Sequence, residues 1–182
     1  ALDAKGSRPI ALQNLGGSAL AFVVAALLEK KRSPILILTG GMDRAEELVN
    51  DLEFFGVEDV HHYPKWEVLP YDPEELNVEV TAKHLDVFDA FAAARRDAKR
   101  APVVTAPIDA LMQRVIPSSR MDALTVEIEW GMRAEISVLA KRLADAGYAR
   151  EPVVESRGEY SIRGNILDVF PMNAEDPIRL DF

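Results

Sequence analysis

Two short runs carry apolar residues without polar alternation, Pro34-Ile35-Leu36-Ile37-Leu38 and Pro102-Val103-Val104-Thr105-Ala106. Strands of that character belong in a sheet covered on both faces, so both are expected at its centre. Between them the spacing turns helical. Ala45, Leu48, Val49, Leu52 and Phe55 form one stripe of a helix from about Asp43 to Phe55, with Gly56 as its stop. An apolar helix is expected over Ser18 to Lys30, and a long one over Val78 to Lys99, closing in the charge run Arg95 to Arg100. Pro9 to Leu12 reads as a short strand and Val60 to Tyr63 as a weaker one. Pro64, Pro70 and Pro73 cannot sit in a ladder and make that stretch a loop, and Pro107 opens a short helix through Arg114. Strands alternating with helices in this way give an α/β fold, a mainly parallel sheet with helices on both faces.

The pattern changes after Pro117-Ser118-Ser119. Leu124, Val126 and Ile128 alternate with Thr125, Glu127 and Glu129, as in a strand with one wet face. A helix from about Arg133 to Ala146 turns Ile136, Leu139, Ala140 and Leu143 inward and ends at Gly147. Val153 to Phe182 then reads as short strands, with turns at Arg157-Gly158, at Arg163-Gly164 and between Asn173 and Pro177. A boundary near Pro117 to Asp122 divides the chain into residues 1–119 and 120–182. The strand-like Ile178 to Phe182 runs to the last residue, so the chain reads as part of a longer protein.

With 182 residues, 48% of them hydrophobic, there is material for one full α/β domain and a smaller piece. The longest apolar run, Ala19 to Leu28, is too short to span a bilayer and lacks the flanks of a signal peptide, so neither a membrane anchor nor a leader is expected. The absence of cysteine excludes disulfides, thiolate metal sites and cysteine nucleophiles, which fits a cytoplasmic location. The formal net charge is −9, spread evenly: 13 Lys/Arg against 18 Asp/Glu in residues 1–119, and 8 against 12 in residues 120–182. Neither half has a polybasic surface to neutralise phosphates, which makes a protein the better expected partner than nucleic acid bound unaided.

Candidate chemistry is sparse. The turn Asn14-Leu15-Gly16-Gly17-Ser18 sits ahead of a helix where a phosphate-binding loop would sit. Such a loop needs a lysine on the β and γ phosphates, and the nearest one downstream is Lys30, at the far end of the helix; no cofactor and no catalytic residue is assigned. His61 and His62 are adjacent on a strand and point to opposite faces, so no metal site is expected from them. Glu74-Glu75 and Glu127/Glu129 read as solvated faces. Trp66 and Tyr71, on a proline-stiffened loop, are either a stacking platform or pins for the loop, and the shortage of nearby Lys/Arg favours pins. Arg157, Arg163 and Arg179 sit among short strands beside Tyr160 and Phe182. They are either an arginine-rich interface patch or ordinary exposed arginines paired with Glu155, Glu159 or Asp181.

Three stretches carry a resemblance: Trp66-Glu67-Val68-Leu69-Pro70-Tyr71-Asp72; Pro107-Ile108-Asp109-Ala110-Leu111-Met112-Gln113-Arg114-Val115-Ile116-Pro117; and Gly158-Glu159-Tyr160-Ser161-Ile162-Arg163-Gly164-Asn165-Ile166-Leu167-Asp168-Val169-Phe170-Pro171. With Gly147-Tyr148 before the third and Pro177 to Phe182 after it, the chain resembles the amino-terminal region of transcription-repair coupling factors. That resemblance implies a degenerate helicase-like parallel-sheet domain over 1–119, with a degenerate phosphate-binding loop at Gly16, Gly17 and Ser18. It implies a smaller α+β UvrA-interaction domain over 120–182, incomplete at its carboxy terminus. The implied function is a non-catalytic UvrB-like module that recruits UvrA to stalled transcription sites in nucleotide-excision repair. The family's UvrA-contacting arginines fall on Arg163 and Arg179. A contacting phenylalanine of the family lies one residue past Phe182, and Phe182 is taken with the two arginines as the UvrA-binding set. RNA polymerase and double-stranded DNA are implied as partners of the family's downstream domains. The alternative is a fragment of a UvrB-like ATP-dependent helicase, from which the lysine-free turn departs.

Overall fold

The computed structural model describes residues 10–66 and 77–182. Three parallel strands, β1 (Ile35–Thr39), β2 (Val60–His62) and β3 (Val103–Pro107), form the first sheet in the order β1-β3-β2. Helices α1 (Ala19–Lys30) and α2 (Met42–Phe54) cover one face, where Ala21, Val24, Leu48 and Leu52 close on Ile37 and Val103. Helices α3 (Val78–Arg96) and α4 (Ile108–Leu111) cover the other, where Val87 and Ala110 meet Tyr63, Val104 and Ala106. The amino end of α3 is capped by Asn77, whose side-chain oxygen accepts from the backbone N–H of Glu79 and Val80. Among the described residues no helix is long and apolar enough to cross a membrane.

The two continuous apolar runs meet different fates. β3 lies between two neighbours and every residue of it is buried, as its pattern requires. β1, expected beside it at the centre, is an edge strand among the described residues: Ile37 is 8% exposed, but Leu36 and Leu38 are 48% and 50% exposed. The reason is cover. On the second face α3 packs over Tyr63, Val104 and Ala106, and among the described residues no helix packs over the leucines of β1.

Two expected strands are also absent. Ile10 to Leu12 lie in no strand, and Ile10 and Leu12 stand 57% and 59% exposed; Pro9 lies outside the described residues. Leu124 closes helix α5 (Ser118–Leu124), which spans the segment expected as the domain boundary, and the next N–H, of Thr125, bonds back to the Met121 carbonyl. Residues 125–129 pair with no strand, and from them Val126 packs into the second core. Alternation gives a segment one apolar side; it supplies no hydrogen-bonding neighbour.

The second sheet runs β4 (Ala149–Arg150), β5 (Glu159–Arg163), β6 (Ile166–Val169), β7 (Ile178–Asp181) in that spatial order, antiparallel except for β4 beside β5. Helix α6 (Ile136–Asp145) lays Leu139, with Ala140 and Leu143, onto Tyr160, Leu167 and Val169. Polar contacts join the two halves: Arg96 pairs with Glu127, and the Asn173 amide donates to Asp89 Oδ2 at 2.8 Å.

Candidate protein interface

The period of a strand separates the two faces of β5-β6-β7. Rows Tyr160–Val169–Ile178 and Ile162–Leu167–Leu180 face α6, and their alternates are Ser161–Asp168–Arg179 and Arg163–Ile166–Asp181. The turn Gly164-Asn165 sets this register. Two residues between paired Arg163 and Ile166 make the tightest hairpin, and Gly164, at φ 62°, supplies the positive φ such a turn needs.

On the outer face both arginines converge on Asp168. Arg179 Nε donates to Oδ1 at 2.6 Å and its Nη2 to Oδ2 at 3.0 Å; Arg163 Nη2 reaches diagonally to Oδ2 at 2.7 Å. The guanidinium-bearing side chains are 54% and 62% exposed, whereas the Asp168 side chain is 11% exposed. The hydrogen bonds from Arg179 and then Arg163 hold the Asp168 carboxyl down at about 2. Asp168 in turn raises the Arg179 guanidinium further.

Of the three residues in the implied binding set, the fold brings two together. Phe182 is 40% exposed at the end of β7, where its N–H bonds the Asn165 carbonyl, and strand alternation gives it the parity of Leu180, not of Arg179. Arg157 is engaged elsewhere, its Nε donating to the Ala174 carbonyl at 2.9 Å. None of the partners weighed for the arginines, Glu155, Glu159 or Asp181, is the one hydrogen-bonded to them. Glu159 instead accepts the backbone N–H groups of Glu155 and Ser156, which lower its pKa. Asp168 escaped the sequence reading, although the Gly164-Asn165 hairpin signal fixes the register that sets it on the face of Arg163.

The glycine turn is occupied from within. Arg44 Nη2 donates to the Gly17 carbonyl at 2.7 Å and pairs with Glu47, while the Ser18 hydroxyl donates to Asp51 at 2.8 Å. The open depression there is lined by Gly17, Ser18, Arg44, Glu47, Asn50 and Asp51, two carboxylates beside one guanidinium where phosphates would need cations. His61 pairs with Asp59 at 2.8 Å, and His62 turns the other way, to Thr105 Oγ1 and Met42 Sδ. Among the described residues no group of three or more His, Asp or Glu could hold a metal ion. The backbone of Trp66 is held at both ends by the Gln113 amide, at 2.8 and 3.0 Å, as a loop pin would be. Tyr71 lies outside the described residues, with the rest of the stretch 67–76.

The family described as "UvrB interaction domain" matches residues 126–182, which include all of β4 to β7 and the whole triad. The transcription-repair-coupling factor of Escherichia coli K12 is 32% identical over 181 residues, covering 100% of this chain and 15% of that protein. Those of Bacillus subtilis 168 and Myxococcus xanthus are 31% and 30% identical, over 97% and 99% of this chain. This chain belongs to the transcription-repair-coupling factor family. It spans about 15% of the length of these relatives. In the coupling-factor family the identity extends over both sheets, whereas the UvrB interaction match begins at Val126, after α5.

Proposed function

We propose that this chain is a non-catalytic docking module of a transcription-repair coupling factor, and that the outer face of β5-β6-β7 receives UvrA in nucleotide-excision repair. The observation that carries the reading is the pair of exposed guanidiniums, Arg163 and Arg179, set side by side on a sheet face by one shared, nearly buried carboxylate. Arginine forks on a rigid scaffold are common anchors of protein interfaces, because each offers several N–H donors in a fixed plane. The match of residues 126–182 to the UvrB interaction domain supports a docking role for the second sheet's part of the chain. Phe182 flanks it from the end of β7. In this reading the chain has two functional parts, residues 1–119 as scaffold and 120–182 as docking domain, and works in the cytoplasm. RNA polymerase and double-stranded DNA are partners of other parts of the coupling factor. The self-filled Gly16-Gly17-Ser18 turn favours a scaffold role over the helicase alternative.

The test is UvrA binding by calorimetry. Truncating an interface arginine costs about 1 to 4 kcal/mol, a loss of roughly five- to a thousandfold in affinity. Arg163→Ala and Arg179→Ala should each show such a loss, and Arg95→Ala, at the far end of α3, should show none. Parent-like affinity in both sheet variants would remove the docking assignment.

A further inference from the structure

Asp168 does more on this face than balance charge. It is 8% exposed, and its two oxygens accept three N–H groups, two from Arg179 and one from Arg163. Each guanidinium has five N–H donors, so both keep outward-facing donors after Asp168 is satisfied. The same face carries Asp181 opposite Ile166 and, at the start of β5, Glu159, so its strand positions hold two arginines against three carboxylates. Such a face has little long-range pull on an acidic partner. Its asset is arrangement: two long side chains that would otherwise lose rotamer freedom on association are already held.

We infer that Asp168 is the positioning residue of the docking face, fixing Arg163 and Arg179 as a preset array of donors for planar oxygen acceptors, carboxylate or carbonyl, on the partner. The inference rests on the docking reading above. It makes a prediction opposite in sign to that of a simple cationic patch. Deleting the negative charge of Asp168 would make such a patch more positive and tighten an acidic partner. Loss of a positioning group releases the guanidiniums and weakens binding.

The experiment is calorimetric titration of UvrA into the chain and its variants over a range of salt, with circular dichroism to confirm folding. Asp168→Asn, equal in size, should bind about tenfold more weakly, as expected when one or two anchoring side chains lose their preset geometry. Its binding should also depend more steeply on salt than that of the parent, because one carboxylate fewer opposes the two guanidiniums. In the Arg163→Ala/Arg179→Ala background the same change should have no further effect on affinity, whereas a merely structural role would add a further loss. Asp168→Glu keeps the charge and shifts the oxygens by a methylene. It should also bind more weakly, and it stands as the test if the asparagine variant does not fold. Should the double-arginine variant bind like the parent, the docking reading itself fails. Should that variant bind weakly while the Asp168 variants bind as tightly as the parent or more tightly, the positioning role alone is overturned.

Discussion

Asp168→Asn also allows the energetic weight of the triad to be read from its pH dependence. The carboxyl titrates at about 2 in place of 3.8. At about 1.4 kcal/mol per unit, a shift of that size sets a ceiling of roughly 2.4 kcal/mol on its contribution to folding. Both guanidiniums are more than half exposed, and solvent screening brings the expected value to about 1 kcal/mol. The folded-state pKa is depressed, so the stabilisation is complete above the unfolded value near 4 and is lost as pH falls through about 2. The parent should therefore exceed Asp168→Asn by about 1 kcal/mol near neutral pH, and the gap should close between about pH 4 and pH 2. Urea unfolding at low salt, followed by circular dichroism across that range, measures the gap. Carbon NMR of the Asp168 carboxyl locates its midpoint directly. A gap that stays constant with pH, or a carboxyl midpoint at the ordinary 3.8, would refute the reasoning.

Other outcomes follow from packing. Leu167 is fully buried under α6, so Leu167→Ala should destabilise the second sheet by about 2 to 5 kcal/mol, seen as early loss of amide protection in β5 to β7 while β3 stays protected. Leu36→Lys, on the half-exposed leucine of β1, should change stability by no more than about 0.5 kcal/mol, whereas Val104→Lys, 1% exposed on β3, should prevent folding; equal effects in thermal melts would contradict the edge position of β1. Titration with Mg-ATP should give no saturable heat at micromolar nucleotide, because Arg44 and Asp51 already bond Gly17 and Ser18; saturation there would revive the helicase alternative.

Much of the α/β half was legible because helical stripes report their own burial: Ala45, Leu48 and Leu52 are buried as their spacing predicts. Strands are different. Ile35 to Leu38 and Val103 to Ala106 have the same local character, yet their depth depends on what lies beside and above them, which no single segment encodes. Leu124 to Ile128 failed in the same way, having the alternation of a strand without a neighbour to complete its hydrogen bonds. At the candidate site the resemblance led to Arg163 and Arg179, but pairing by sequence proximity pointed to Glu155, Glu159 and Asp181. The true counter-ion was accessible from the hairpin: a two-residue Gly164-Asn165 turn sets Arg163 opposite Ile166 and hence Ser161 opposite Asp168. Arg179 required the β6–β7 register as well, and that depends on a longer connection whose geometry local rules do not fix.

The uncovered flank of β1 bears on how the chain behaves in bulk. Its free edge offers unpaired backbone groups beside alternately protruding leucines, Leu36 and Leu38, and among the described residues no strand pairs with that side. Such an edge is a template for a second molecule, and short charged or proline-bearing edge strands are the usual defence. Between Ile35 and Leu38 there is neither a charge nor a proline. Concentrated preparations, and refolding above all, should therefore accumulate β-rich oligomers seeded at this edge, and a lysine at position 36 should act as a gatekeeper that keeps the protein colloidally stable.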